Sequence, residues 1–223
     1  MTEPDFLTAT RATYETVAQA YTEAQSQALD GRPYDRAFLS LFAELVREQQ
    51  GPRRVADVGC GPGHITAVLR DLGLDAFGLD ISPAMLAQAR KAHPELEFRE
   101  ASILDLTVTD TSLDGIVALF SFNTVPARYL SKAFEGFAKA LRPGGLVMLS
   151  FSVRDEPTDM TTWLDHEVSL PLQRLVPEEV VRALTAAGLT VRAQLVREPH
   201  PPHETRPYAT VIAARPSTWG VTA

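Results

Sequence analysis

Val55-Ala56-Asp57-Val58-Gly59-Cys60-Gly61-Pro62-Gly63-His64 is the stretch around which the rest of the chain has to be arranged. A β-rich apolar run, 54–58, leads straight into three glycines within five residues, and a stretch with helical spacing, 65–72, follows at once. Strand, tight loop and helix start thus lie in one line. The glycines let main-chain N–H groups approach a ligand closely, and a helix start favours negative charge. The next strand, 74–80, ends on Asp80, where an acid can accept hydrogen bonds from both hydroxyls of a ribose. The open question is which nucleoside sits there.

The flanking chain reads as a regular alternation. Thr10 to Ser26 carries Tyr14, Val17, Ala18 and Tyr21 on one helical face, and Gly31-Arg32-Pro33 breaks it. Tyr34 to Gln50 predicts a second amphipathic helix with Phe38, Leu41, Phe42, Leu45 and Val46 inward, closed by Gly51-Pro52. Residues 1–50 are therefore expected as a helical lid ahead of the main domain, 51–223. In that domain strand 54–58 precedes helix 63–72, and strand 74–80 precedes helix 83–92, which opens on Ser82 as cap and Pro83 at the first helical position. Strand 95–101, a turn-rich loop and strand 113–120 follow; the last reads as buried on both faces of a parallel sheet. Helix 128–141, a turn at Arg142-Pro143-Gly144-Gly145, strand 146–152, helix 177–187 and a hairpin-like pair, 189–197 and 207–214, complete the pattern. Residues 153–176 show no clear period and are expected to be an insertion of mixed short structure facing the acceptor. Five strand–helix alternations predict a doubly wound α/β sheet with its ligand at the carboxyl ends of the central strands. Asp57 to Gly63, Asp80, Ser102 and Phe120 to Thr124 then converge on one crevice.

Composition removes several classes of partner. The net charge is −7 and no cluster of Lys and Arg forms a basic face, so neither nucleic acid nor an anionic membrane is expected. The longest uncharged stretch, 115–127, is too short to span a bilayer, and the N-terminus lacks an apolar signal region, so a cytoplasmic protein is expected. The single cysteine, Cys60, excludes an internal disulfide framework and a cysteine metal cluster.

The glycine spacing narrows the cofactor. A dinucleotide fingerprint starting at Gly59 requires glycine at the sixth position, where His64 stands; the third glycine is Gly63 instead. No Lys-Ser or Lys-Thr follows the loop, which excludes a P-loop. Four segments in order, Asp57 to Gly63, Gly78-Leu-Asp80-Ile-Ser-Pro-Ala-Met85, Ala101-Ser102-Ile-Leu-Asp-Leu106 and Leu141-Arg-Pro-Gly-Gly145, resemble the class I S-adenosylmethionine-dependent methyltransferases. The Tyr14–Tyr21 helix, Asp35-Arg36, and the ending Ala187-Gly-Leu with Leu195-Val-Arg-Glu-Pro are similar to a group of small actinobacterial-type methyltransferases.

That resemblance implies a seven-stranded, mostly parallel sheet with an antiparallel last strand, and S-adenosylmethionine as cofactor. Gly59, Cys60, Gly61 and Gly63, with Asp57, would pass under the methionine part; Asp80 would hold the ribose; Ile81 and Met85 would pack near the adenine; Ser102 and Ile103 would meet its edge. Phe120 and Ser121 would line the pocket, and Tyr14 and Tyr21 would close over the cofactor. Cys60 reads as a close-packed small side chain, and His64 as neutral, because a helix start disfavours positive charge. Arg36 and Arg197 read first as surface ion pairs and, as the alternative, as partners of an acidic acceptor or of the cofactor carboxylate.

A sulfonium methyl needs an acceptor atom aligned about 3 Å away in a dry site, and a general base only where the acceptor must lose a proton. The family's histidine at the end of the fourth strand falls on Thr124, which is no base at neutral pH. Candidates near the methyl are therefore Thr124, His166 in the insertion and His203 in the last loop, with His200 beside it. Two readings follow. One is a methyltransferase acting on an O, N, S or C atom of a small molecule, as a monomer or homodimer. The other is a non-methylating domain that binds S-adenosylmethionine or S-adenosylhomocysteine as a regulator or scaffold.

Overall fold

The computed structural model describes residues 4–25, 29–201 and 204–217. The chain runs α1 (Asp5–Ala24), α2 (Pro33–Arg47), β1 (Arg54–Val58), α3 (His64–Asp71), β2 (Asp75–Asp80), α4 (Pro83–Ala92), β3 (Glu97–Glu100) and β4 (Leu113–Leu119). A 3-10 turn (Ser121–Thr124), α5 (Ala127–Ala140), β5 (Leu141–Ser152), β6 (Thr158–Trp163), β7 (His166–Leu172), α6 (Pro177–Ala186), β8 (Thr190–Arg197) and β9 (Tyr208–Ala214) follow. Seven strands form one sheet in the order β3-β2-β1-β4-β5-β9-β8. β1 to β5 pair in parallel, and β9 runs antiparallel to both β5 and β8. The expected doubly wound, mostly parallel sheet with an antiparallel last strand is the fold observed. The strand order reverses between β1 and β4, which opens the crevice at their carboxyl ends.

Two apolar layers hold the sheet. Phe122, Phe134 and Phe137 lead the cluster that packs α5 and α6 on one face, where Leu130, Val180 and Leu184 also lie. Leu39, Phe42, Val46, Ile65 and Leu69 bring α2 and α3 to the other. Burial of this kind stabilises by about 25 cal/mol for each Å² of apolar surface removed from water, so amphipathic helices on both faces are the natural closure of a parallel sheet.

Three sequence expectations change. α1 begins at Asp5, ahead of Thr10, because Phe6 and Leu7 are buried and extend its apolar face by a further turn. The Arg142–Gly145 turn lies inside β5 as a looped-out segment: Leu113 pairs with Leu141, and pairing resumes at Gly115 with Leu146. The unpatterned insertion contains a regular hairpin, β6–β7, whose two turn residues, Leu164 and Asp165, both take left-handed backbone (φ 50° and 63°). A turn of that type matches the twist of a two-stranded ribbon. Its strands are largely exposed, so no core-facing alternation announces them. The end of the Thr10–Ser26 prediction, at Ser26, lies outside the described residues.

Candidate functional site

The glycine loop is built for close packing. Gly59, Gly61 and Gly63 all have positive φ (75°, 52° and 84°), which only glycine adopts without strain. A Cβ on Gly63 would stand 2.7 Å from the Phe98 ring, and one on Gly59 2.4 Å from Ser121 Cβ. The expectation that the loop offers its N–H groups to a ligand is corrected. Gly59 and Cys60 donate to Leu79 O (2.7 and 3.1 Å), Gly63 donates to Cys60 O (3.0 Å), and Gly61 donates to Asp80 Oδ2 (2.8 Å). With those donors spent inside the protein, the loop is a smooth floor and no phosphate cradle.

Asp80 ends β2 with its carboxylate buried at 8% exposure. Besides Gly61, the Ser82 N–H donates to it, at Oδ1 and 2.8 Å. Burial pushes its pKa up, and these main-chain donors pull against that. Each oxygen keeps a second lone pair for a ligand hydroxyl. Ser82 also caps α4, its Oγ accepting from Met85 N–H at 3.3 Å.

Two adjoining cavities meet over this loop. The larger lies between walls that include Phe6, Thr10, Tyr14, Asp80, Ile103 and Thr124. Small-molecule sites commonly combine such an apolar lining with a few placed polar groups. The smaller is polar, with Arg32, Asp35, Asp57 and His64 in its wall. Tyr21, Gly59, Leu119 and Phe120 belong to both. Phe120 sits at the junction in left-handed backbone (φ 62°), a conformation that costs energy for a non-glycine residue and is typical of functional sites.

Several buried polar atoms here have no partner among the described residues: Thr10 Oγ1 and Ser121 Oγ in the larger cavity, His64 Nδ1 and Asp35 Oδ2 in the smaller. Burial is costly for such atoms unless a ligand satisfies them. Asp57, whose Oδ2 accepts from Thr66 Oγ1 at 2.7 Å, is pushed up to about 7, chiefly by burial. His64 is pulled down to about 4, chiefly by burial and then by Arg32, so it is neutral at physiological pH. Tyr14 and Tyr21 form an aromatic trio with Trp163 at centroid distances of 5.5 and 5.2 Å. Burial raises both phenols, Tyr21 to about 12.

The cavities thus gather Tyr14, Tyr21, Asp57, Gly59, Cys60, Asp80, Ile81, Ile103, Phe120 and Thr124 from the sequence candidates. Others fall elsewhere. Met85 is fully buried against Val17 and Ala18 rather than in a cavity wall. Ser102 turns its Oγ to the Leu104 N–H (3.1 Å). Gly61 and Gly63 are in neither cavity lining: a Cβ on Gly61 would meet Tyr21 Cε1 at 3.7 Å and one on Gly63 the Phe98 ring. Cys60 packs with Leu86 and Phe98, and burial drives its thiol well up, consistent with a space-filling role. His166 is not brought to the cleft: it stands exposed at the mouth of the short β6–β7 turn, while Trp163 across from it packs on α1. His203 lies outside the described residues. Arg197 departs from the surface reading: its Nη2 meets Glu204 Oε1 at 2.7 Å, with side-chain exposures of 9% and 3%.

Phe6, Leu7, Thr10 and Arg32 were missed as site residues. The two apolar ones continue the α1 pattern toward the N-terminus. Arg32, with its guanidinium 5.3 Å from the Phe120 ring centroid, stands in a Gly-Arg-Pro break that looks like a plain helix stop.

Residues 55–145 match the model of the methyltransferase domain family. The chain is 32% identical over 179 residues to trans-aconitate 2-methyltransferase of Streptomyces coelicolor, covering 70% of this chain and 57% of that protein. It is 38% identical over 136 residues to the Escherichia coli protein of the same name, covering 60% of this chain and 51% of that one. The chain therefore spans about half the length of the curated relatives it matches. Two solved structures share the fold: magnesium protoporphyrin IX methyltransferase from Synechocystis PCC 6803 with bound SAH (17% identity, TM-score 0.71, 95% of this chain and 100% of that one) and the [4+2]-cyclase SpnF (19%, TM-score 0.72, 93% and 95%). Among the described residues no helix is long and apolar enough to cross a membrane.

Proposed function

We propose that this chain is an S-adenosylmethionine-dependent methyltransferase acting on a small molecule. One observation carries the reading: an apolar cavity lined by Asp80 and a polar cavity holding Arg32, Asp35, Asp57 and His64 share Tyr21, Gly59, Leu119 and Phe120 in their walls. That division suits a nucleoside joined to a zwitterionic amino acid. Asp80 would accept the ribose hydroxyls, with Ile81 and Ile103 beside the base. Arg32 and the neutral His64 would take the carboxylate, and Asp35 or Asp57 the ammonium. When bound, the cofactor supplies an electrophilic methyl group.

The protein's own contribution is then position and dryness. Phe6, Leu7 and Val125 keep water out, and Thr10, Ser121 and Thr124 offer hydroxyls for orientation. Among the described residues lining the larger cavity there is no histidine, lysine or cysteine. The reading gives Asp80 to the ribose and leaves the Tyr14 and Tyr21 phenols, both raised by burial, protonated, so it favours an acceptor that is already nucleophilic at working pH. We further propose residues 1–50 as the lid over this cleft, since α1 supplies Phe6, Thr10, Tyr14 and Tyr21 to its wall. A small-molecule acceptor is the partner that a concave, largely apolar cleft with a few hydroxyls suits.

The second reading is a non-methylating domain, and the likeness of fold to the [4+2]-cyclase SpnF favours it, since one fold hosts many chemistries. Formation of S-adenosylhomocysteine from S-adenosylmethionine separates the two. The expected result is acceptor-dependent formation of the demethylated product; cofactor binding without turnover across a broad panel of small nucleophiles favours the second reading.

A further inference from the structure

A closed circuit of guanidinium groups and aromatic rings adjoins the polar cavity. Arg197, the last residue of β8, stands opposite Tyr208, the first residue of β9. Its guanidinium holds the Glu204 carboxylate through two N–H···O bonds, both side chains being buried. Glu204 also accepts from the His200 N–H at 2.6 Å. The Arg197 guanidinium lies over two rings as well, 4.4 Å from the centroid of Tyr34 in α2 and 5.1 Å from that of Tyr208. The Tyr208 ring meets Phe120 edge-on at 5.4 Å, and Phe120 carries the Arg32 guanidinium over its own ring. Arg32 stands at the N-terminal cap of α2, two residues ahead of Tyr34, so the contacts return to the helix start from which they set out.

Two members of this circuit need outside support. Phe120 keeps a left-handed backbone, which persists only where the surrounding contacts fix it. Arg32 forms no ion pair among the described residues, and the Phe120 ring is what its guanidinium rests on. Arg197 and Tyr208 line neither cavity, whereas Phe120 belongs to both and Arg32 to the polar one. A buried ion pair adds little net stability over apolar residues of the same shape, so what it holds in place is the informative feature. Here it holds a guanidinium flat against two rings, a geometry that lysine does not reproduce.

We infer that Arg197 and Tyr208 are positioning residues for the amino-acid half of the cofactor: the buried Arg197–Glu204 pair holds Tyr208 against Phe120, and Phe120 sets the place of the Arg32 guanidinium. The inference deepens the proposed function and rests on it, since Arg32 is the group given to the cofactor carboxylate there. The nucleoside half lies with Asp80, Ile81 and Ile103, none of which belongs to the circuit. Loosening the circuit therefore weakens the hold on the amino-acid part and leaves the hold on the nucleoside unchanged.

The test titrates the full chain with S-adenosylhomocysteine and with 5′-methylthioadenosine, which keeps the nucleoside and the sulfur but lacks the amino-acid part. The parent is expected to bind S-adenosylhomocysteine about tenfold tighter, as a charge-assisted hydrogen bond allows. Arg197→Lys and Tyr208→Leu should each narrow that preference about fivefold while binding methylthioadenosine as the parent does. Tyr208→Phe keeps the ring and should keep the parent preference. An unchanged preference in either folded variant, an equal loss of both ligands, or a loss in Tyr208→Phe as large as in Tyr208→Leu each overturns the inference. If Arg197→Lys does not fold, the two Tyr208 variants decide; unfolding of Tyr208→Leu beside a folded Tyr208→Phe overturns the inference too, because the ring then serves the fold. A folded parent that binds both ligands equally gives a different result: it removes Arg32 as the carboxylate partner, and one that binds neither removes the cofactor reading, each taking this inference with it.

Discussion

Asp57 shows how a single buried acid sets the pH response of the site. In the folded chain it holds its proton up to about 7, against 3.8 in an exposed carboxyl. Between those values the folded state binds the proton that the unfolded chain has released, so this group's contribution is fully present below 3.8 and is lost as pH rises to about 7. His64 has the opposite sign: with its pKa lowered from 6.5 to about 4, its contribution is lost as pH falls through that window. Asp57→Asn leaves His64 in place, so the difference between variant and parent isolates the acid. The variant is expected to gain stability relative to the parent as pH goes from 5 to 8, read by thermal unfolding at several pH values. A constant difference across that range contradicts the assignment. The sequence announced Asp57, Asp80 and the three glycines because loop geometry demands those residue types. It did not announce Arg32 or Asp35, whose role comes from where α2 begins, and it pointed to His166, whose exposure is decided by a turn two residues long.

At the scale of elements, strand and helix periods were legible wherever an element has one apolar face, as in α2, α3 and α5. The β6–β7 hairpin was not, because its strands bury little and are held by their own pairing and by Trp163. That indole touches the edges of Tyr14 and Tyr21 and with Met85, Val17 and Ala18 fastens the hairpin to α1 and α4. Each aromatic contact of this kind contributes about 0.5–1.5 kcal/mol beyond simple burial. Trp163→Ala is therefore expected to cost about 2–4 kcal/mol in urea unfolding once the lost burial is included. Because both tyrosines line the larger cavity, cofactor affinity should fall in the same variant. Unchanged stability and affinity would mean that the hairpin merely rests on α1.

For the whole molecule, the topology could be inferred from strand–helix alternation, and the crevice from the switch in strand order; the chemistry of the acceptor could not, because it depends on side chains drawn from distant segments. The proposal that the paired apolar and polar cavities take S-adenosylmethionine is tested most directly by isothermal titration of the folded chain. One-to-one binding is expected, weakened by tenfold or more in Asp80→Ala, where the ribose loses its charged acceptor, with no heat on titration of NAD. A folded chain that binds no S-adenosylmethionine, or an Asp80→Ala variant that binds it as well as the parent, contradicts that assignment.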